Sequence, residues 1–299
     1  MMINNGWERL KTAKQLLSVM AAQSASVYAN QVIAFVIPWL VLTKTGSATD
    51  AATVALATGL AAFLGILTGG LVTDRIGGRR VSMIADVLSA VTTVALAVTL
   101  FFDFFALWFV IISQIIGVFF DGPGAIAKNT IIPSAANEEK VPVVRAMGLQ
   151  QTLQNLAMFI GPVSAGAIIA VLSESTTLLL ASLLFVAAIV LISRLKRQVF
   201  AHQTSMSVRQ AYHDTGEAIV FLAKEPFLGP MQLFGPLFAF FIVPLAVIIF
   251  PAWFIFAGQG SGALGLFLGL QAIGGMLGGF LFAAFAPKVP QRTWFFCAT

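Results

Sequence analysis

Charge is scarce in this chain: Asp, Glu, Lys and Arg make up 10% of it against 59% hydrophobic residues, a ratio that excludes a soluble globular domain. Between positions 226 and 287 there is no charged side chain at all. Cysteine is nearly absent, and Cys297 alone supports neither an internal disulfide nor a cysteine-built metal site. The two histidines, His202 and His213, have no carboxylate or cysteine at ligand spacing, so no metal is expected. No glycine-rich phosphate loop ending in Lys and Ser or Thr is present, nor a Ser/His/Asp set in plausible context. An enzyme, a resident cofactor and an ATP-driven pump are therefore not expected. The N-terminal tail carries Glu8 among basic residues and lacks a small-residue cleavage site, so it reads as a tail before a true span.

What the chain does have is apolar runs of about 20 residues, enough for a helix to cross a bilayer. They are expected at 16–42, 51–73, 81–102, 106–127, 147–172, 177–192, 227–257 and 263–286. Of the 17 Lys and Arg, all but Lys44 fall in the N-terminal tail or in alternate loops, with Lys128, Lys140 and Arg145 assigned to a loop over 128–145. This asymmetry predicts a cytoplasmic N-terminus and makes the basic pI a matter of topology, so no nucleic-acid partner is expected.

Polar residues interrupt the first span, where Gln23, Ser26, Asn30 and more loosely Gln31 share a helical face that should line a cavity or another helix. In the second span Ala61, Gly65 and Gly69 form a small-residue stripe for close helix approach. The fourth carries Gln114 and Asp121. Gln150, Gln151, Gln154 and Asn155 suggest a wet surface near the inner end of the fifth. Four prolines, Pro230, Pro236, Pro244 and Pro251, predict a bent or interrupted seventh span. Ser207 and Gln210 start an amphipathic pattern, so 195–225 reads as a linker on the inner membrane surface.

Four charges cluster between the second and third spans, where Gly77 and Gly78 permit a reversal. The order Gly70, Asp74, Arg75, Gly77, Arg79, Arg80 resembles the signature loop between the second and third helices of the major facilitator superfamily of transporters. Gly148, Gly161, Pro162 and Gly166 resemble the fifth-helix signature of its antiporter branch, with Ala157 and Ala165 in place of two glycines. Thr45, Gly46 and Ser47, then Phe120, Asp121 and Pro123, then Glu225, Pro226, Phe227 and Leu228 resemble the drug and macrolide efflux branch. Gly65, Gly69, Gly70 and Arg79 recur at one constant offset as Gly274, Gly278, Gly279 and Lys288, the mark of repeated halves.

The resemblance implies an all-α multi-pass membrane protein of the major facilitator fold, with eight complete transmembrane helices and the start of a ninth out of twelve. Residues 1–194 would form a six-helix bundle, 195–225 the linker and 226–299 the start of a second bundle. It further implies that the Gly70 to Arg80 loop is a conformational latch whose charges meet Asp121, with Asp86 either a second latch member or a protonatable group. Substrate would contact a cavity of amides and aromatics, with Gln23, Ser26, Asn30, Gln31, Gln114, Gln151, Gln154, Asn155, Gln232 and Gln271 as candidates. The expected activity is export of amphipathic small molecules from the cell by proton antiport across the inner membrane. Siderophore or metabolite transport and a non-transporting receptor or scaffold are the alternatives. The lipid bilayer and a small amphipathic substrate are the expected partners, and no obligate protein partner is expected.

Overall fold

A computed structural model describes residues 13–195, 237 and 240–285 of the chain. Six long helices come first: α1 (Lys14–Thr45), α2 (Ala48–Ile76), α3 (Gly78–Phe101), α4 (Leu107–Glu138), α5 (Val143–Val171) and α6 (Glu174–Ser193). All six are long and apolar enough to span a membrane. They run alternately up and down, so Gly77, Glu139–Pro142 and Arg194 share one end, the basic end. Two further apolar helices follow, α7 (Phe240–Phe256) and α8 (Ser261–Phe285). The linker at 195–225 and Gln232 lie outside the described residues, Leu195 excepted.

The turns follow from local chemistry. Gly46 ends α1 in the left-handed region at φ 66° and returns its N–H to the Leu42 carbonyl. Ser47 then caps α2, its side chain accepting from the Asp50 N–H at 3.2 Å. The motif of Thr45, Gly46 and Ser47 is thus a stop and a start in three residues. At the other end of α2 the helix runs on through Asp74, Arg75 and Ile76, so the expected charged turn contracts to Gly77 alone. Gly77 has φ 91°, a backbone that a Cβ disfavours, whereas Gly78 already belongs to α3.

The largest departure from expectation is α4. A loop was expected from Lys128 onward because a charge there should end the span, yet the helix continues eleven residues past Ala127 to Glu138. It can do so because Lys128 is buried against a carboxylate, and the remaining loop is only Glu139 to Pro142. Lys128 is therefore a charge inside the bundle and no part of the loop asymmetry. In α7 the seventh span is interrupted as its prolines require: Leu245–Ile249 forms a π turn between Pro244 and Pro251.

Small residues set the closest contacts. A Cβ on Gly65 would strike the Phe119 carbonyl oxygen, and one on Gly122 would come within 2.9 Å of the Gly65 backbone. Gly69 lies against Pro123 and Ile126. The stripe on α2 is therefore the seat of α4. Helix α1 is the hub, packing on α2, α4, α5, α6 and α7. Its apolar contacts form two separate cores. Val36, Leu96, Leu178 and Phe185 belong to the one away from the basic end. Leu16, Met20, Ile132 and Ile192 belong to the other.

Candidate functional site

Between the two cores lies a belt of buried polar side chains: Gln23 and Ser26 on α1, Ser82, Asp86 and Ser89 on α3, and Gln114 and Lys128 on α4. Hydrocarbon offers such groups no partners, so each must find one within the protein or a wet cavity. Lys128 Nζ stands 2.6 Å from Asp86 Oδ1 and donates to Ser26 Oγ at 2.6 Å. Ser26 in turn lies 2.9 Å from the same Asp86 oxygen, with the Ala22 carbonyl as a second acceptor for its hydroxyl proton. The triangle ties α1, α3 and α4 together at one level. Asp86 Oδ2 has no hydrogen-bond partner among the described residues.

Asp121 sits two helical turns before Lys128 on α4 and accepts a hydrogen bond from Ser89 Oγ at 2.8 Å. It does not meet Arg79 or Arg80, contrary to the expected latch contact. Among the described residues no ion pair joins Asp121 to either arginine, and Arg79 donates to the Ser193 carbonyl instead. The reason is the true length of α4. With seventeen more residues to Glu138, Asp121 lies about 25 Å from the basic end, near mid-helix rather than at its mouth.

Asp121 opens onto a cavity of about 420 Å³ bounded by α1, α2, α3, α4 and α7. Asn30, Gln31, Gln114, Ser89 and Thr93 supply its neutral polar groups, and Ile33, Ile37, Val54 and Val118 its apolar wall. A second cavity of about 300 Å³ lies across α1, lined by Met158, Pro162, Leu268 and Gln271. Gln31, Ala34, Pro38 and Val247 border both, so the two chambers are separated by α1 and the π turn of α7. Volumes of this size suit a drug-sized ligand.

The polar face expected on α1 is thus divided. Ser26 binds the charge pair, Asn30 and Gln31 line cavities, and Gln23 is buried at 2% exposure without reaching either chamber. Gln151, Gln154 and Asn155 line neither cavity. Gln151 donates to Asn155 at 3.1 Å on an exposed stretch of α5, where spacing alone could not say which way the row of amides faced. The expected aromatic lining is also missing from the larger chamber among the described residues; Phe35 borders the smaller one.

The glycine pattern on α5 serves two neighbours. Gly161 admits Gln31 of α1, whose Cβ would stand 2.5 Å from an added Cβ. Gly166 faces α8, 2.5 Å from the Ser261 carbonyl on the same measure, and a Cβ on Gly265 would stand 2.6 Å from the Pro162 carbonyl. Ser261 Oγ donates to the Gly166 carbonyl at 3.1 Å across this seam. Gly148 on α5 has no described atom within 4 Å of an added Cβ, nor have Gly274 and Gly278, which lie on the face of α8 turned away from Gly265. Asp74 and Gly70 make no ion pair and no close approach, respectively, among the described residues.

Sequence reasoning missed Lys128 and Ser89. Gln114, Asp121 and Lys128 recur every seven residues, which on a helix drifts by only about 20° and leaves them on one face. Ser82, Asp86, Ser89 and Thr93 repeat at helical spacing on α3 in the same way. Two facing polar stripes on apolar helices were the available signal.

Comparison with known proteins agrees with this architecture. Over 286 residues the chain is 30% identical to the multidrug efflux pump Tap of Mycolicibacterium fortuitum, covering 94% of this chain and 69% of that protein. Over 280 residues it is 28% identical to the multidrug efflux pump Tap of Mycobacterium bovis and of Mycobacterium tuberculosis, covering 92% of this chain and 65% of theirs. The chain thus spans about two thirds of the length of these relatives. With residues 19–299 matching the family's sequence pattern throughout, this multi-pass membrane protein belongs to the Major Facilitator Superfamily.

Proposed function

We propose that the protein exports amphipathic small molecules by alternating access, exchanging them for protons across the inner cell membrane. The observation that carries this reading is the pairing of two drug-sized chambers around α1 with a close-packed glycine seam between α5 and α8. In alternating access this seam would part and re-form, exposing the chambers first to one side of the membrane and then to the other. The efflux pumps named above, alike over nearly the whole chain, support the direction of transport.

In this reading the basic end, with the N-terminus, faces the cytoplasm, as the loop cations favour. Residues 1–194 form one half of the transporter, 195–225 the linker and 226–299 the beginning of the second half. Asp74, Arg75, Arg79 and Arg80 act as a latch at the α2–α3 junction, holding one access state through charge contacts with neighbouring helices. Energy comes from the proton gradient, with no bound cofactor. The bilayer and the substrate are the only partners the activity needs.

The test is accumulation of a fluorescent dye in cells with and without the gene for the full-length protein. Lower internal dye that rises when a protonophore is added is the expected result. Equal levels would point to a receptor or scaffold, and higher levels to uptake. Asp74→Asn should impair export, and unaltered export would remove the latch role.

A further inference from the structure

We propose that the smaller chamber is an acceptor-lined subsite, where backbone carbonyls released by three prolines take the uncharged N–H and O–H donors of a transported molecule. The inference rests on the transport reading and adds to it a second ligand contact and the chemistry that contact requires.

Proline has no N–H, so inside a helix the carbonyl four residues before it loses its usual donor. Three helices bring such a pair to one cavity. Pro38 releases the Ala34 carbonyl on α1, Pro162 that of Met158 on α5, and Pro251 that of Val247 on α7. All six of these residues line the chamber of about 300 Å³. A helical carbonyl points along the axis toward the residue four ahead, so a cavity that touches both residues of a pair runs over the released oxygen. The π turn adds a further acceptor. Phe250 N–H, which would serve Ala246 in an α-helix, goes to the Leu245 carbonyl, and the next position is Pro251. Ala246 also lines this chamber.

The prolines of α4 show the alternative. Pro123 and Pro133 release the carbonyls of Phe119 and Asn129, but Phe119 packs its carbonyl against Gly65 of α2 and Asn129 is exposed. Neither of those residues borders a chamber.

A carbonyl only accepts, and every described residue on the wall of the smaller chamber is uncharged. The amides of Gln31 and Gln271 turn to donate or accept as needed. A ligand without donors would cover the released oxygens and leave their hydrogen bonds unmade, next to apolar groups such as Phe35 and Leu268. A charged group would enter with no counter-charge to meet it. The fitting group is an aromatic amine, amide N–H or hydroxyl on an apolar body.

The experiment compares two uncharged forms of one fluorophore on the full-length protein in lipid nanodiscs: a naphthalimide bearing a primary aromatic amine, and its N,N-dimethyl form. The dimethyl form is the more apolar, so partition into lipid works against the expected order. Fluorescence anisotropy, referred to empty nanodiscs, should show the primary amine binding about tenfold tighter or more. The triple variant Pro38→Ala, Pro162→Ala and Pro251→Ala gives the released carbonyls their N–H donors back and should bring the two forms to equal affinity. Pro123→Ala, which alters a carbonyl that borders neither chamber, should keep the preference. Equal binding of both forms to the unaltered protein, binding of neither, a preference that survives the triple variant, or one lost in Pro123→Ala would each overturn the inference. The wild-type comparison does not depend on how any variant folds. Selective binding without export would sink the transport reading alone, whereas export accompanied by equal binding of the two forms would sink this inference alone.

Discussion

Lys128 Nζ lies 2.6 Å from Asp86 Oδ1, with both side chains almost completely withdrawn from the surface. One charge comes from α4 and the other from α3, and Ser26 of α1 completes the contact. Each ion alone would be costly at this depth, so the helices are joined as much by the penalty of separating them as by their attraction.

That asymmetry predicts the response to substitution. Lys128→Met strands an uncompensated carboxylate and should lower stability by about 3–5 kcal/mol, whereas the double variant with Asp86→Asn should recover most of the loss. Thermal unfolding of the purified full-length protein in detergent, followed by tryptophan fluorescence, measures both. A single variant as stable as the unaltered protein would show that the pair does not form.

The α2–α4 seam predicts a steric effect instead. Any side chain at Gly65 drives a carbon into the Phe119 carbonyl oxygen, and backbone cannot move aside as a flexible side chain can. Gly65→Val should therefore cost about 1–3 kcal/mol or more and prise the two helices apart. Gly70, one helical position beyond Gly69, has no described atom within 4 Å of an added Cβ, so Gly70→Ala should cost far less. The difference between the two melting temperatures is the readout. Comparable losses would mean that α2 does not present its stripe to α4.

Much of this arrangement could be read from residue order, and the failures have definable causes. The stripe of Ala61, Gly65 and Gly69 announced a close helix contact, although only the fold reveals that α4 fills it. The polar face of α1 announced itself through Ser26 and Asn30, since polar groups on a spanning helix need partners inside the bundle. Lys128 was misread because a lysine ordinarily ends a span, and its acceptor, Asp86, lies forty-two positions away on another helix. Asp121 was singled out as well, but its depth followed from the misplaced end of α4, and so did the partner assigned to it. Periodicity says which residues share a face; it does not say which neighbour the face meets.

The proposed rocking of the halves requires the α5–α8 seam to open, and one pair of positions tests this directly. A Cβ on Gly262 of α8 would stand 3.7 Å from the Ala170 Cβ on α5. That separation is close to the mean for a disulfide, about 3.8 Å. With Cys297 replaced by Ser, the double variant Ala170→Cys and Gly262→Cys should crosslink under mild oxidation, which protease cleavage in the 195–225 segment followed by gel electrophoresis would detect. Dye export should fall to background in the oxidised protein and return on reduction, because a bond across the seam holds the chamber in one access state. Crosslinking that left export unchanged would mean that these two helices stay together throughout the cycle, and the opening of the chamber would have to be sought elsewhere in the bundle.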